Sequence, residues 1–239
     1  MRIDVYFTPL GPKEGDFAGR GVIVIDVLRA TTTIVTALAN GAKAVVPAAT
    51  SEEAVRLTAN LEKNGYLLAG ERRSLKIEGF QLGNSPREMM PKVVGGKTIY
   101  LATQNGTPAL IATQGAELVM IGAAANFKAT AERARKHFQD RAEIAVICAG
   151  RERQFALEDA YAAGRFVKAL KKGVKKVALN DAAEVALALT SSYDDWADAF
   201  KGTAAARQLV DVELGEDIAF AAKQDRFDTV PIYAERRIT

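Results

Sequence analysis

Residues 22–25, Val-Ile-Val-Ile, form a β-branched run with no polar alternation. A strand of that kind is covered on both faces, as in a parallel sheet with helices above and below. The next residue, Asp26, is a carboxylate. A charge is costly inside a core, but the C-terminal edge of a parallel sheet is where ligand crevices form. Arg29, Thr31, Thr32 and Thr33 follow at once, and residues 30–40 read as a helix closed by Gly41. One buried strand therefore delivers an acid, an arginine and hydroxyls to the same place. Taken alone, Asp26 also fits a turn residue or a helix cap. The functional reading gains weight because other strand ends repeat the chemistry.

Residues 3–7, 44–47, 66–69, 98–102, 117–121 and 143–148 read as further strands, with helical stretches between them. This alternation implies parallel pairing through right-handed crossovers. From Asn180 the pattern changes to short helical segments at 182–189, 196–200, 204–214 and 217–222, then an extended piece at 227–233. The expected fold is a single α/β domain over residues 1–239. It is a three-layer sandwich with a mostly parallel sheet and a helical C-terminal cover from about residue 180. A chain of 239 residues has ample core for this.

The segments after the strands carry the chemistry. Residues 70–84 have no clear periodicity, yet their Phe, Leu and Ile argue for an ordered, functional loop. The loop contains Glu71, Arg72 and Lys76 and ends at Asn84. Ser85-Pro86-Arg87-Glu88 then matches a capping box, whose free N–H groups can hold an anion. Strand 98–102 leads into Asn105-Gly106-Thr107-Pro108, with Thr107 as the expected cap of the next helix. Strand 143–148 leads to Arg151 and Arg153, and the helix after it carries Glu158 and Asp159 in its first turn. Glu158 shares a face with Ala162 and Arg165 and reads as solvent-facing. Asp159 lines up with Ala163, Phe166 and Leu170, a partly apolar face, and is the stronger site candidate. Both acids also suit a plain complement to the helix dipole.

Several functions are excluded. A net charge of +3 without a long Lys/Arg run gives no basis for nucleic-acid binding. No stretch approaches a transmembrane length and the N-terminus reads as a strand, so no membrane partner and a cytoplasmic location are expected. The single Cys148 excludes an internal disulfide and fits a reducing compartment. Gly96-Lys97-Thr98 lacks the first glycine of a phosphate loop, since Pro91 stands there, and it runs into a strand. Cys148 is followed six positions on by Gln154, not the arginine of a cysteine phosphatase, so it reads as a buried structural thiol. Leu28 stands where aspartate-nucleophile phosphatases of the haloacid dehalogenase type carry a second Asp. The lone His137 and Cys148 support no zinc site.

The strand ends share carboxylates and arginines. Parallel strands bring such ends to one edge. Together these groups suit a hard cation and an anionic substrate. Mg²⁺ takes one or two carboxylates, keeps waters and bridges to phosphate oxygens, while arginine grips phosphate, sulfonate or carboxylate in bidentate fashion. The residues point first to a Mg²⁺-dependent enzyme acting on a small phosphorylated acid. A non-catalytic binder of small phosphorylated or sulfonated acids is the alternative.

Four motifs now combine: V-I-D-V-L-R-A-T-T-T, A-G-E-R-x-x-x-K-x-x-G-F-x-L-G-N-S-P-R-E, T-x-N-G-T and I-C-A-G-x-x-x-x-F-x-L-E-D-x-x-A-A-G. In these the chain resembles the 2-phosphosulfolactate phosphatase (ComB-like) family, from Arg2 to about Gly164 and weakly on to Val230-Pro231. The resemblance implies an α/β fold and Mg²⁺-dependent hydrolysis of 2-phospho-3-sulfolactate to 3-sulfolactate and phosphate, a step of coenzyme M biosynthesis. Arg73-Ser74 departs from the small glycine-rich pair expected of the family, and residues 203–209 lack its Ser, His and Gly. Another phosphorylated hydroxy acid therefore stands beside 2-phosphosulfolactate. On this reading Asp26, Glu71 and Arg72 are the candidate catalytic residues. Asp26, Glu71, Glu158 and Asp159 are the candidate metal ligands. Arg29, Thr31, Thr32, Lys76, Asn84, Ser85, Asn105, Gly106, Thr107 and Arg151 are the candidate substrate contacts. A homodimer is left open.

Overall fold

The computed structural model describes residues 1–13, 15–138 and 143–239. Among these, five parallel strands form one sheet in the order β7 (Leu118–Gly122), β2 (Gly21–Ile25), β8 (Glu143–Cys148), β1 (Arg2–Tyr6) and β9 (Ala178–Leu179). A second sheet runs β10 (Tyr233–Ala234), β11 (Arg237–Ile238), β3 (Ala44–Ala48), β6 (Thr98–Ala102), β4 (Tyr66–Arg72) and β5 (Leu75–Lys76). Its central strands β3, β6 and β4 are parallel and its outer pairings are antiparallel. The fold is an α/β sandwich with mostly parallel sheets, as the alternation of elements led us to expect. Its division into two sheets lies beyond what the alternation shows. The chain leaves the first sheet after β2, builds the second with β3, β4 and β6, and returns with β7.

Residues Val22, Ile23, Val24 and Ile25 are fully buried. Ile23 and Ile25 pack with Phe166, Val167 and Leu170 of helix α6 (Leu157–Lys171). Val22 and Val24 face the other way, onto Ile34 and Val35 of α1 (Ala30–Ala39) and, through that core, Val45, Ile99 and Leu101 of the second sheet. The strand is thus covered on both faces, which is why its sequence does not alternate. Each such side chain contributes on the order of 1.5–3 kcal/mol of burial.

The remaining helices are α2 (Ser51–Thr58), α3 (Pro91–Val94), α4 (Gly106–Ala112), α5 (Phe127–Phe138), α7 (Asp181–Leu189), α8 (Trp196–Lys201), α9 (Ala204–Asp211) and α10 (Glu216–Ala221). The last four form the expected C-terminal helical cover. Ala183, Ala186, Trp196, Ala199, Phe200 and Ala221 of the cover join the core of the first sheet. No helix among the described residues is long and apolar enough to cross a membrane.

Two local expectations change. Residues 70–84 begin as strand: β4 runs through Glu71 and Arg72, and Arg73-Ser74 make a two-residue turn into β5. Both turn residues have positive φ, 52° and 69°, in a hairpin position where Asn-Gly is the usual choice. The turn is held instead by side chains, with Gln104 Oε1 accepting from the Arg73 N–H and Glu71 Oε2 from the Ser74 N–H. The second change is at α4, whose N-cap is Asn105 and not Thr107. The Thr107 hydroxyl donates to the Ala48 carbonyl at 3.1 Å, tying α4 to β3.

The α6–α7 contact depends on Gly164. A Cβ there would collide with the Ala186 backbone carbonyl and lie 2.8 Å from Thr190 Cγ2. Alanine is the better helix former, but a backbone oxygen cannot swing aside, so overpacking of roughly 1–3 kcal/mol wins. Gly164→Ala is expected to lower the melting temperature by about 3–10 °C. An unchanged or raised value would show that the two helices can separate without cost.

Candidate functional site

The C-terminal ends of both sheets open onto one cleft. The first sheet supplies Asp26, Leu28 and Arg29 after β2, and Gly150, Arg151 and Glu152 after β8. The second supplies Glu71, Arg73 and Ser74 around the β4–β5 turn and Thr103, Gln104 and Asn105 after β6. Glu158 and Asp159 enter from the first turn of α6, and Ala205, Gln208 and Leu209 of α9 close the rim.

Asp26 stands at the centre. Its backbone N–H donates to the Thr31 hydroxyl at 3.1 Å, and its Oδ1 accepts the Ala30 N–H at 3.2 Å. Its Oδ2 accepts no protein hydrogen bond among the described residues. A Cβ on residue 106 would sit 3.1 Å from this oxygen and 2.9 Å from Ala30 Cβ, so Gly106 lets the β6–α4 turn approach Asp26. Burial, with the charges of Glu71 and Glu158 adding to it, raises the Asp26 pKa to about 7 against the pull of the Ala30 N–H and Arg29.

Asp159 is a clamp. Its Oδ1 accepts the Val27 N–H at 2.9 Å and its Oδ2 the Gly150 N–H at 3.1 Å, so it joins the ends of β2 and β8. Burial pushes its pKa well up, and Asp26 and Glu158 add to this. Glu158 was expected to face solvent, but it is only 4% exposed because α9 and Thr203 lie over it. Burial raises its pKa too, opposed by its own backbone N–H, the Thr203 hydroxyl and Arg151. Glu71 is committed to backbone: its Oε1 accepts the Gln104 N–H at 3.1 Å and its Oε2 the Ser74 N–H at 2.8 Å.

Arg29 is buried and shared. Its Nη1 donates to Asp217 Oδ2 at 2.8 Å and its Nη2 to the Ser74 carbonyl at 2.7 Å. Asp217, on α10, also accepts the Ser85 hydroxyl at 2.6 Å and is fully buried. Arg151 donates to Gln208 of α9, and the Glu152 N–H donates to Asn105 Oδ1 at 3.0 Å, so the loops of the two sheets are stitched together across the cleft. Glu152 and Arg153 form a second two-residue turn with positive φ, closed by the Arg151–Gln154 backbone pair.

Against this geometry, the sequence of this chain matches the profile of the family described as 2-phosphosulpholactate phosphatase over residues 6–236. The chain belongs to the 2-phosphosulpholactate phosphatase family. Its similarity to curated members runs end to end. A protein of Caldanaerobacter subterraneus subsp. tengcongensis named probable 2-phosphosulfolactate phosphatase is 39% identical over 232 residues, covering 97% of this chain and 95% of the relative. Proteins of the same name from Thermotoga maritima and Clostridium acetobutylicum are 38% identical over 230 residues and 34% identical over 238. They cover 96% of this chain and 94% of the relative, and 100% of both.

Within this family member, the cleft gathers Asp26, Arg29, Glu71, Asn84, Asn105, Arg151, Glu158 and Asp159 of the candidate residues. The others lie around it. Arg72 lines a neighbouring surface hollow with Thr50 and Ser51, which Glu71, Thr103 and Gln104 of the cleft also border. Thr31, Gly106 and Thr107 line a narrow gap between α1 and β6. The Thr32 hydroxyl is buried on the Val27 carbonyl. Lys76 and Ser85 line an adjoining chamber. Sequence reasoning noted Arg73 only among the strand-end charges and missed Ser74, Gln104, Gln208 and Asp217. The glycine-type turn at Arg73-Ser74 was the available signal for both turn residues. Cys148 is fully buried, its thiol pushed well up by burial, and does not line the cleft.

Among the described residues no three His, Cys, Asp or Glu side chains converge into a preformed metal cluster. Mg²⁺ needs only one or two carboxylates, so the donor set still fits. Among the described residues Asp26 Oδ2 accepts no hydrogen bond, and the buried Glu158, met by its own N–H and the Thr203 hydroxyl, ties no second loop, so these two buried cleft carboxylates are the ones that would take the metal.

A pH dependence of stability follows for Asp26. Its folded pKa of about 7 lies above its ordinary 3.8. Between those values the unfolded chain has released the proton and the folded chain keeps it, so folding loses stability as pH rises from about 4 to about 7. Asp26→Asn keeps the oxygen that caps Ala30 and removes this loss. Measured in EDTA, the variant is expected to gain melting temperature over the parent at pH 8 and to gain little at pH 4. Equal differences at both values would show that Asp26 titrates normally.

Proposed function

We propose that the chain hydrolyses the phosphate ester of a small anionic hydroxy acid in a Mg²⁺-dependent reaction, with 2-phospho-3-sulfolactate as the leading substrate. The observation that carries this reading is the meeting, in one cleft of a member of this family, of two buried carboxylates and three arginines: Asp26 and Glu158, Arg29, Arg73 and Arg151. The names of the relatives support the substrate.

The arginines bind and orient. Arg73 and Arg151 stand on short turns at opposite rims, one from each sheet, where guanidinium groups can grip phosphoryl and sulfonate or carboxylate oxygens. Arg29 is held from behind by Asp217, so its guanidinium is fixed before substrate arrives. The side chains of Ala205 and Leu209 narrow the mouth on the α9 side and reduce the water around the ester. Asp26 and Glu158 would hold Mg²⁺, which would polarise the phosphoryl group and offset the cost of burying both carboxylates. Hydrolysis itself breaks the ester P–O bond and adds water across it, leaving the hydroxy acid and phosphate. Asp159 and Glu71 keep the four loops in place, and Arg72 is expected to act only at the periphery.

The test is phosphate release from 2-phosphosulfolactate and phospholactate, with Mg²⁺ and with EDTA. Release with Mg²⁺ only is expected. Asp26→Asn should cut turnover by several orders of magnitude, with partial recovery at high Mg²⁺ if the residue is a ligand. If Asp26 is instead the nucleophile, added Mg²⁺ recovers nothing and a phosphoenzyme is trappable in the parent alone. Ligand binding without release in either condition would make the chain a binder and overturn the proposal.

A further inference from the structure

Beside the cleft lies a larger chamber. Both are open to solvent, with room for about 50 Å³ in the cleft and about 460 Å³ in the chamber. They share a wall made of Arg29, Ser74 and Asn84. Two features of the chamber are unusual for a surface hollow.

The first is Asn84. It is only 4% exposed, its carbonyl is fixed by the Thr33 hydroxyl at 2.9 Å, and its side-chain Oδ1 is buried with no hydrogen-bond partner among the described residues. An unmet buried amide in a native fold calls for a partner. A half turn of the group presents its NH₂ at the same place, so the position can meet a ligand acceptor or donor.

The second is the division of the far walls. Leu75, Met90, Val212 and Leu214 give an apolar lining, and Leu75 and Met90 are 53% and 42% exposed. Lys76 and Arg87 add cations at the rim, and the one carboxylate there, Glu88, has its Oε2 engaged by the Gly83 and Ser85 N–H groups. Arg87 pairs with the exposed Glu216, a contact that contributes little, and Lys76 is in no ion pair among the described residues. A three-carbon acid crowded with phosphate, sulfonate and carboxylate has no apolar surface to match these walls.

Resting on the phosphatase reading for the cleft, we propose that this chamber is a second binding compartment for the carbon body of a longer substrate. Beyond the three-carbon 2-phospho-3-sulfolactate, which fills the cleft alone, the chamber admits as further substrates phosphorylated hydroxy acids longer than three carbons, with a second anionic group at the far end. The phosphorylated end sits in the cleft, Asn84 meets a polar group at the junction, the methylenes lie on Leu75, Met90, Val212 and Leu214, and the distal anion reaches Lys76 and Arg87.

The experiment compares two hydrolysis-resistant phosphonates by titration calorimetry on the full chain: the analogue of phospholactate and that of the O-phosphate of 2-hydroxyadipate. The longer ligand buries extra methylenes and is expected to bind the parent at least about tenfold more tightly. Met90→Trp, which fills the chamber from an exposed position, should remove that advantage and leave the shorter ligand within about twofold. Leu75→Trp fills it from the other side and gives the same result independently of any folding defect in the first variant. Equal or weaker binding of the longer ligand, an advantage that survives both fillings, or binding of neither overturns the proposal. Phosphate release from 2-phosphosulfolactate, measured alongside, reports separately on the phosphatase reading. Its absence with a chamber-dependent preference intact would sink that reading and not this one.

Discussion

Three carboxylates, Asp26, Glu158 and Asp159, are buried together, and the rest of the structure is arranged around that charge. Burial raises all three pKa values, and neighbouring carboxylates add to it for Asp26 and Asp159. The buried cation nearest in sequence, Arg29, is already paired with Asp217. Asp159 is stabilised by two backbone N–H groups, but Asp26 keeps an oxygen free and Glu158 relies on Thr203 and Arg151. Such a cluster must hold protons or gain positive charge from a ligand. The proposed Mg²⁺ site is the second of these solutions, and the arginines at the rim place an anion next to it.

The two-sheet architecture is what allows so many charged groups to meet. One parallel sheet offers a short row of strand ends. Here β2 and β8 approach from one sheet and β4 and β6 from the other, with α1 packed between them. Each charged residue leaves its strand only where the apolar core ends. The loops are then tied by hydrogen bonds from the Asp159 and Glu71 carboxylates to loop backbone, so these two side chains fix the cleft walls. Asp217 extends this to the C-terminal cover. It reaches from α10 to Arg29 and Ser85, residues 188 and 132 positions away in sequence.

That distance explains which parts were legible in the sequence. The run at 22–25 and the acid after it announce a covered strand with a functional end, because both signals are local. Glu71, Asn105, Arg151 and Asp159 were found the same way, each a polar residue just beyond an apolar segment or on a helix's first turn. Glu158 was misread as solvent-facing because helical periodicity describes its own helix and not α9, which lies over it. Asp217 looks like a dipole-compensating acid in the first turn of a short helix, and only the tertiary fold pairs it with Arg29. Arg72 was favoured for its place after Glu71. Glu71 lines both the cleft and the hollow beside it, whereas Arg72 lines only the hollow. The second sheet escaped notice because β–α alternation is the same whether successive strands join one sheet or two.

Anomalous diffraction from crystals soaked with Mn²⁺ in place of Mg²⁺ tests the central claim most directly. The account expects one strong peak in the cleft, at coordination distance from Asp26 Oδ2 and the Glu158 carboxylate, and its loss in Asp26→Asn. A cleft without a peak at saturating Mn²⁺, or a peak that persists in Asp26→Asn away from both carboxylates, would contradict it.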